Sequence, residues 1–453
     1  MTTPAKASSA RHASKRRSAS VLIIVLWVTF GLVSIALYFA HAMVLELRAT
    51  DNRVADTEAD QAIEGAARYI TYVLSNLEEP GFMPELQTYE REAVPVGDAT
   101  FWLIGRADQD TVQDQPFFCL IDEASKLNLN VATNFDYLPR MTPEFTAAIT
   151  DWRDPDDTVG PSGAEAEVYS RLRPPYKCKN APFETVDELR LVYGAHLDIL
   201  YGEDSNLNGV LDLNENDGNS SFPDDNRDGR LDPGLLDYVT VYSRELNVDA
   251  LGNKRINVTA SDDSALRDLL TKQFGTRGGQ MLASPGRPNS LLDFFIRARD
   301  SREGKMTAEE FGEIADQLCA SDARTTNGLV NVNTATVEVL SCIPGIGSDH
   351  AQELVSYRRS NPDKLKNIAW VADVLTDQAS VRAAGPWITV HSYQFMADIA
   401  AVGHHGRGYR RVRFIFDTSS GTPKIVFRQD LSHMGWALGT QTRERILLAK
   451  NLQ

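Results

Sequence analysis

The most regular pattern in the chain is a long apolar run that continues without a break into a helical repeat. From Ser20 to Leu45 the sequence contains no Asp, Glu, Lys or Arg, and a helix of this length can cross a bilayer. After Glu46, apolar residues recur at spacings of three and four as far as Pro80-Gly81, which is typical of an amphipathic helix. The pattern predicts one helix over residues 21–78, roughly 85 Å long at about 1.5 Å per residue. We expect its first half to lie in lipid and its second half to pack on a folded domain.

Runs of aromatic and branched residues predict strands at both ends of the remaining chain. Two lie soon after the helix, at 99–107 and 116–124, and three lie near the end, at 386–402, 409–418 and 423–431. In the fourth run, Val412, Phe414 and Phe416 alternate with charged residues, as in a half-buried strand. We expect these strands to form one small antiparallel sheet against the long helix, with the intervening sequence inserted between them.

The inserted sequence is repetitive. Stretches with Asn at alternate positions recur at 126–133, 255–261 and 329–336, and each is followed by helical periodicity that ends on an Arg-bearing helix. We therefore expect three related helical units. Asn130, Thr259 and Asn333 are predicted to lie near helix starts, where their oxygens can accept hydrogen bonds from free backbone N–H groups.

Only the third unit contains the Pro-Gly-Ile-Gly turn of a helix-hairpin-helix, at Pro344, Gly345 and Gly347. Hairpins that bind DNA aim backbone N–H groups at a phosphate and surround them with basic residues. Here Asp349 and Glu353 follow the turn, and the chain has a formal net charge of -16. We interpret the hairpin as structural and expect no nucleic-acid partner.

The stretch from 203 to 237 is the strongest indication of a ligand. It holds ten acidic residues against two arginines, and it contains a match to the calcium loop of an EF-hand. The predicted Ca²⁺ ligands of this first loop are Asp204, Asn206, Asn208, Val210, Asp212 and Glu215. This spacing supplies the hard oxygen ligands that calcium requires from one short segment.

A second loop of the same type follows, with one departure. Its predicted ligands are Asp224, Asn226, Asp228, Arg230 (through its carbonyl oxygen) and Asp232. Leu235 stands where the loop requires a carboxylate, so Asp237 or an acid from elsewhere must replace it. We expect both ions to stabilise the loop rather than to drive a conformational switch.

Other chemistry is weakly indicated. No G-x-S-x-G, HExxH or P-loop motif is present, so we do not expect an enzyme. His404-His405 is interpreted as a solvated turn, and the four cysteines contain no CxxC pair, so a zinc site is not expected. If the body lies in an oxidising compartment, three disulfide connectivities remain open. A second acidic patch is interpreted as a polar loop, although it could bind an ion; it contains Asp151, Asp154, Asp156, Asp157 and Glu165.

The residues before the apolar run are basic and include no acid. The positive-inside rule places this short tail in the cytoplasm and the body of the chain outside. The segment "KRRSASVLIIVLWV" resembles a type IV prepilin signal, which a prepilin peptidase cuts on the cytoplasmic side, here between Ala19 and Ser20. Ala19 replaces the usual Gly, and Ile24 replaces the usual Glu. The absence of this Glu is typical of the K-type minor pseudopilins of the type II secretion system. The alternative is an uncleaved signal anchor.

Three internal segments are similar to the same family: "DEASKLNLN", residues 151–194, and "VNVNTATVEVLSCIPGIG". The resemblance implies an α+β fold in which a long pilin-type helix packs on a small antiparallel sheet. A large, mainly helical domain of helix-hairpin-helix or SAM-like repeats would be inserted between the strands, carrying the calcium loops. It also implies a single-pass protein of the bacterial inner membrane with a periplasmic body. That body would lie at the tip of the pseudopilus with the I- and J-type minor pseudopilins, where it initiates assembly and helps to export folded proteins.

The predicted organisation has five segments: a leader at 1–19, a transmembrane part at 20–45, the rest of the helix with the first strands at 46–125, the inserted domain at 126–370, and the last strands at 371–453. The inserted domain includes the calcium-loop insertion at 203–237 and the hairpin at 328–360. A rival hypothesis is a membrane-anchored DNA receptor of the competence type, which also combines one N-terminal helix with such a hairpin. It leaves the prepilin-like leader, the calcium loops and the C-terminal strands unexplained.

Overall fold

The computed structural model describes residues 13–106, 116–283 and 286–451, with side chains from Val21 to Leu448. The helices in these residues are α1 (Ala13–Ser75), α2 (Pro143–Arg153), α3 (Ala166–Ser170), α4 (Leu197–Tyr201), α5 (Ser264–Phe274), α6 (Thr276–Met281), α7 (Leu291–Arg299), α8 (Ala308–Ala315), α9 (Val337–Ser341), α10 (Gly347–Ser360), α11 (Gln378–Ala384) and α12 (Gly439–Asn451). The strands are β1 (Val94–Val96), β2 (Ala99–Ile104), β3 (Ile121–Asp122), β4 (Leu127–Asn128), β5 (Val239–Thr240), β6 (Arg244–Leu246), β7 (Ile256–Asn257), β8 (Leu318–Cys319), β9 (Thr325–Asn327), β10 (Val330–Asn331), β11 (Ile388–Thr389), β12 (Gln394–Gly403), β13 (Arg407–Asp417) and β14 (Lys424–Asp430).

Early and late strands form one antiparallel sheet. Its order is β1-β2-β12-β13-β14, and β3 pairs with β12 beside β2. In the register of β12, Ile399 lies between Leu103 of β2 and Val412 of β13. Among the described residues between β3 and β12, none forms a strand of this sheet. The predicted antiparallel sheet built from both ends of the chain is therefore confirmed within the described residues.

The second half of α1 packs across one face of this sheet. The contact surface of the helix consists mainly of alanines, because small side chains let a helix approach a sheet closely. The buried residues on both sides of the contact are Ala59, Ala62, Ile63, Ala66, Ala67, Ile70, Leu74, Phe101, Leu103, Phe395, Ala397, Ile399, Ala401, Val412, Phe414 and Phe416.

Two glycines let the β12–β13 turn lie directly against the backbone of α1. A Cβ atom on Gly403 would lie 2.3 Å from the backbone oxygen of Ala55, and one on Gly408 would lie 2.3 Å from the same backbone. Between them, His404 is held by α1: its ring nitrogens lie 2.6 Å from Glu58 and 2.9 Å from Asp51. The interpretation of His404 as a solvated residue is therefore wrong, because the helix supplies two carboxylates that the local sequence does not reveal.

The first half of α1 makes no such contact. Its large apolar side chains from Val21 to Leu47 are between 47% and 75% exposed. Among the described residues, Val21–Ser75 is long and apolar enough to span a membrane, judged by length and composition. The helix is continuous through both halves, which agrees with the pattern of the sequence.

The inserted region has its own core, which extends from Leu127 to Val390. The domain boundaries given above remain predictions, but residues between 371 and 390 belong to this core, and the next strand of the main sheet begins at Gln394. Among the described residues all four cysteines are free.

The three Asn-containing stretches share one local structure. Each forms a two-residue strand that pairs in parallel with a strand at the far end of its unit: β4 with β5, β7 with β8, and β10 with β11. In each unit the Asn of that strand accepts a hydrogen bond at 2.9 Å from the backbone N–H two residues later; these residues are Asn128, Asn257 and Asn331.

The next polar residue of each stretch does not cap a helix as expected. Asn130 exchanges two hydrogen bonds with the backbone of Phe183, and Asn333 contacts Leu365 and Trp370. These side chains instead tie distant loops of a unit together. In the first and third units the following helices are capped by threonines, Thr142 at the start of α2 and Thr336 at the start of α9.

We predict that Gly403→Ala destabilises the protein by about 1–3 kcal/mol, because the added methyl group must displace the backbone of α1. The free energy of unfolding of the detergent-solubilised chain measures this effect. Gly279→Ala is the matched control, because no atom lies within 4 Å of its Cβ position and alanine favours a helix. Equal stabilities for the two variants would contradict the close contact at Gly403.

Candidate functional site

The first acidic loop, Asp204 to Glu215, is folded around its own carboxylates. Asp204 accepts hydrogen bonds from the backbone N–H groups of Asn208 at 3.0 Å and Gly209 at 2.9 Å. Glu215 accepts at 3.0 Å from Ser205 and at 3.0 Å from Asp212, so it closes the loop. Gly209, with a φ of 69°, makes the turn, because a left-handed backbone favours glycine.

The two end carboxylates are buried together. Asp204 is 2% exposed and Glu215 is 1% exposed. Burial, together with the charge of Asp237, raises the pKa of Asp204 to about 7. Burial and then the charge of Asp204 raise the pKa of Glu215 to about 8. A cation between such groups would relieve both effects, since an opposite charge favours the ionised form.

The remaining predicted ligands are linked to one another by hydrogen bonds. Asn206 and Asn208 donate side-chain hydrogen bonds to one oxygen of Asp212, at 2.8 and 3.1 Å. The side-chain oxygen of Asn208 accepts from Val210 at 2.7 Å. The structure therefore brings all six predicted residues of the first loop together, and their donor atoms are oxygens that suit a hard cation.

The loop is attached to the main sheet through Arg411 of β13. This guanidinium group is fully buried and donates to the carbonyl oxygens of Asn206 at 2.5 Å and Leu207 at 2.7 Å. It also binds both oxygens of Asp398 on β12, at 2.8 and 2.9 Å. The candidate metal loop thus rests on the sheet at a fixed position.

The second loop contains an acid that sequence reasoning missed. Glu203 is 1% exposed, and its two carboxylate oxygens accept from the backbone N–H groups of Asn226 and Asp232, each at 3.2 Å. Glu215 has the corresponding role in the first loop, where it binds the N–H of Asp212, the equivalent of Asp232. Glu203 therefore occupies the place of the missing closing carboxylate.

Neither Leu235, which stands at that position in the sequence, nor Asp237, the acid proposed to replace it, takes this place. Leu235 is fully buried in the core of the helical region, and Asp237 forms an ion pair with Arg106. Only the tertiary fold brings Glu203 to the second loop, because it lies 21 residues before Asp224 in the chain. Its position directly before Asp204, at the start of the first loop, was the only signal in the sequence.

The other members of the second loop repeat the first. Asn226 donates to Asp232 at 3.0 Å, as Asn206 does to Asp212. The side-chain oxygens of Asn226 and Asp228 accept from the backbone N–H groups two residues later, both at 2.8 Å. Asp224 and Arg230 are exposed. Unlike the first loop, this loop is mostly open to solvent.

A third acidic group lies at the end of α2. Carboxylate oxygens of Asp151, Asp154 and Glu165 lie within 4.8 Å of one another. Asp151 is buried against two glycines, and a Cβ atom on Gly163 would lie 1.9 Å from its oxygen. The glycines therefore make room for the carboxylate. This partly buried acidic cluster could bind a metal ion.

The strongest sign of a ligand in this cluster is a set of unpaired oxygens. Both carboxylate oxygens of Glu165 and one oxygen of Asp154 are buried without a hydrogen-bond partner. Burial is the main effect that raises the pKa of each of these two groups, and neighbouring carboxylates raise both further. Interpreting residues 151–165 as an ordinary polar loop was therefore inadequate. The sequence showed the acids but not their burial.

The hairpin is formed by α9, the predicted turn and α10. Gly345 has a φ of 81°, and a Cβ atom there would lie 2.7 Å from the carbonyl oxygen of Ser380. The glycine thus permits contact with α11. Arg358 of α10 donates to the carbonyl oxygens of Val332 and Ala335, at 3.0 and 2.6 Å. These contacts give the hairpin a structural role in its unit.

Charges around the turn are unfavourable for phosphate. Pro344 and Gly345 are exposed at the turn, but Asp349 follows Gly347 in the first turn of α10. The ring of His350, the next residue along the helix, lies 3.1 Å from the carboxylate of Glu353. A phosphate at the turn would therefore meet acidic side chains.

The predicted processing site cannot be placed in the same way. Residues 1–12 of the predicted leader lie outside the described residues. The backbone at Ala19 and Ser20 is helical as part of α1, and the side chains of both lie outside the described set.

Comparison with known proteins identifies the region that carries the acidic cluster. Residues 126–200 match the family model described as "Type II secretion system (T2SS), protein K". This match to the protein K family covers 75 of the 453 residues of the chain. Residues 326–372 match a helix-hairpin-helix motif model, so the protein K region and the hairpin occupy the first and third units of the inserted region.

Individual relatives of the protein K family cover the chain unevenly. Type II secretion system protein K of Pectobacterium carotovorum subsp. carotovorum is 41% identical over 56 residues, which are 12% of this chain and 17% of that protein. One chain of the solved GspK–GspI–GspJ complex from enterotoxigenic Escherichia coli aligns over 85% of this chain and 98% of its own length. It has 11% identity and a TM-score of 0.38, and we draw no conclusion from a likeness of that size.

Because the carboxylates of the first loop are buried, we predict that the protein becomes less stable as the pH rises when a chelator keeps the loop free of metal. The folded pKa values of Asp204 and Glu215, about 7 and about 8, lie above the unfolded values of about 4. The folded state thus binds more protons, and the free energy of unfolding should fall between pH 5 and pH 8. Urea unfolding at several pH values measures this slope.

The double variant Asp204→Asn/Glu215→Gln is the control, because it removes both titrating groups and keeps their shapes. Over this pH range the free energy of unfolding of the double variant should fall less steeply than that of the natural chain. Parallel slopes for the two proteins would show that these carboxyl groups titrate normally.

Proposed function

We propose that this chain is a minor pseudopilin that lies at the tip of the type II secretion pseudopilus. One observation carries the proposal: a region similar to protein K is joined to a single helix whose first half exposes mainly apolar side chains and whose second half packs on an antiparallel sheet. That combination suits a subunit held in a membrane and then built into a fibre through the same helix.

The apolar half of α1 holds the subunit in the bacterial inner membrane. The short basic tail stays in the cytoplasm, and the body enters the periplasm. A prepilin peptidase cuts between Ala19 and Ser20, after which the exposed apolar surface of the helix becomes the surface that packs against neighbouring subunits. Leaving lipid for such contacts keeps the apolar side chains out of water.

Two features support the position at the tip: the helix has no carboxylate at position 24, and the body carries a large helical region. Ile24 offers no carboxylate to pair with the N-terminal amine of an adjacent subunit, so docking beneath another subunit is weak. The large helical region would also obstruct growth beyond this subunit. We therefore propose that it initiates the fibre together with the I- and J-type minor pseudopilins, and that the growing fibre helps to export folded proteins.

Calcium ions are the proposed ligands of the acidic sites. In the first loop, Asp204, Asp212 and Glu215 would hold one ion with oxygens of Asn206, Asn208 and Val210. In the second loop, Glu203 would complete the set formed by Asp224, Asn226, Asp228, Arg230 and Asp232. The bound ion supplies positive charge that stabilises the folded loops. Asp151, Asp154 and Glu165 form a further candidate site for the same hard cation.

We predict that the mature protein begins at Ser20 in cells that contain prepilin peptidase and at Met1 in cells that lack it. Mass spectrometry of the N-terminal peptide measures this directly. Ala19→Arg should block the cut because it places a bulky charge at the cleavage site, whereas Arg48→Ala, beyond the apolar run, should leave processing unchanged. A native protein that retains Met1 would exclude the pilus hypothesis and favour an uncleaved anchor.

We predict that Glu203→Gln and Glu215→Gln each lower the number of bound calcium ions by one. Each change removes the closing carboxylate of a different loop. Equilibrium dialysis of the detergent-solubilised chain counts the ions, and chelation should lower the melting temperature of the natural chain, because calcium binds only the folded loops. Glu353→Gln, an exposed acid of α10, is the control. The proposal fails for the second loop if Glu203→Gln leaves the count unchanged, and for both loops if a chelator leaves the melting curve unchanged.

A further inference from the structure

The C-terminal helix α12 is fixed at the end of the sheet where α1 leaves the body. Just before it, the ring of Trp436 lies 5.0 Å from that of Tyr409, and its Nε1 donates to the carbonyl oxygen of Gly439 at 2.8 Å. Within α12, Ile446 packs on the β12–β13 turn so closely that a Cβ atom on Gly406 would lie 2.4 Å from it. Both contacts set the place of the helix on the body.

This turn lies near the boundary of the apolar run. His404, two residues before Gly406, binds Asp51 of α1 at 2.9 Å, and Arg407 also pairs with Asp51. Asp51 follows the exposed apolar residue Leu47 by four residues, or about 6 Å along a helix. The contacts from α1 through the turn to Ile446 therefore hold α12 close to the plane where the membrane span would end.

The exposed side of α12 carries apolar, basic and acidic side chains. Leu447 is 47% exposed and Leu448 is 64% exposed, although the sheet offers an apolar surface nearby. Arg443 and Arg445 are exposed on the same helix, and the side chain of Arg445 makes one ion pair, at 3.5 Å, with Glu92. The face also carries one exposed acid, Glu444.

The adjacent part of α1 adds to this charge. Arg48 and Arg53 are exposed just beyond the apolar run, in a chain whose formal net charge is -16. Of the nearby acids on α1, Asp51 is paired with His404 and Arg407 and Glu58 with His404, whereas Glu46 is exposed. Beside the proposed span, an overall acidic protein thus presents four exposed arginines, at positions 48, 53, 443 and 445, against the acids Glu46, Glu92 and Glu444.

We propose that α12 lies on the surface of the membrane that α1 spans, with anionic phospholipid as its ligand. Leu447 and Leu448 enter the boundary between headgroups and acyl chains, and Arg443 and Arg445 bind lipid phosphates. This inference rests on the membrane anchoring proposed above. The position of the helix beside the span and its exposed arginines favour lipid over a second protein chain, which would have to reach the same plane between the body and the bilayer.

Such docking would give the subunit a second attachment to the bilayer. The helix α1 alone leaves the body free to tilt about the end of the span, whereas α12 would fix the orientation of the sheet relative to the membrane. Extraction of the subunit into a fibre would then require release of α12. The docked helix would therefore oppose extraction until contacts with other subunits replace those with lipid.

Hydrogen exchange of the full chain in lipid nanodiscs tests the proposal. In nanodiscs that contain phosphatidylglycerol, the amides of α12 should exchange more slowly in the natural chain than in Leu447→Gln/Leu448→Gln, by about tenfold or more. Nanodiscs of phosphatidylcholine alone should give weaker protection, because the arginines lose their anionic ligand. Leu251→Gln changes a leucine that is 88% exposed on the inserted region and should leave the exchange of α12 unaltered.

Equal exchange in the natural chain and the double variant would overturn the proposal. So would protection that develops only after other pseudopilins are added, since the face would then bind protein. Co-flotation of the chain with the lipid separates this test from the proposed function. A chain that does not insert contradicts membrane anchoring itself, whereas an inserted chain with an unprotected α12 contradicts only the docking of this helix.

Discussion

The buried ion pair between Asp398 and Arg411 fixes how the two parts of the molecule meet. Both residues lie on central strands of the sheet, 1% and 0% exposed. Burial alone would raise the pKa of Asp398, but the charges of Arg411 and then Arg413 hold it below its usual value. Such a pair is stable only when its remaining hydrogen-bonding groups are satisfied, and the carbonyl oxygens of Asn206 and Leu207 meet this need for Arg411. The acidic insertion thus completes a charge network that begins in the sheet.

A second buried carboxylate, that of Asp122, also joins the inserted region to the sheet. Asp122 of β3 is buried and accepts hydrogen bonds from Thr334 at 2.5 Å, from Ser392 at 2.6 Å and from Asn331 at 3.1 Å. It therefore joins the third helical unit to the sheet, as Arg411 joins the first. Burial raises the pKa of Asp122 to about 6, which shows that these hydrogen bonds only partly offset the cost of removing its charge from water. These two contacts, together with others such as the pairing of Arg244 with Asp417 of β13, hold the inserted region in one orientation on the sheet.

The sequence predicted those features that depend on local periodicity. The course of α1, the sheet built from both chain ends and the turn-forming positions of the acidic loops all follow from spacings within one segment. The surroundings of Glu203, His404 and Glu165 could not be predicted, because each depends on residues that only the fold brings near. Local pattern also misled where it suggested a cap, as at Asn130, since a side chain that can cap a helix can equally bind a distant loop. Glu165 is the clearest such case: its charge was evident in the sequence, but the burial of its carboxylate oxygens was not.

The adjacency of Glu203 and Asp204 links the two acidic loops more closely than their sequences indicate. Asp204 begins the first loop, and the preceding residue closes the second, so both carboxylates depend on one short piece of backbone. Its geometry is fixed further by the hydrogen bond from the N–H of Glu203 to the carbonyl oxygen of Asp232 at 2.8 Å. An ion in the first loop would order this segment and thereby hold Glu203 in place for the second. Because coupling between binding sites is reciprocal, an ion in the second loop would favour the first to the same extent. Since the first loop also rests on Arg411, metal bound in either loop would stabilise the junction between the inserted region and the sheet.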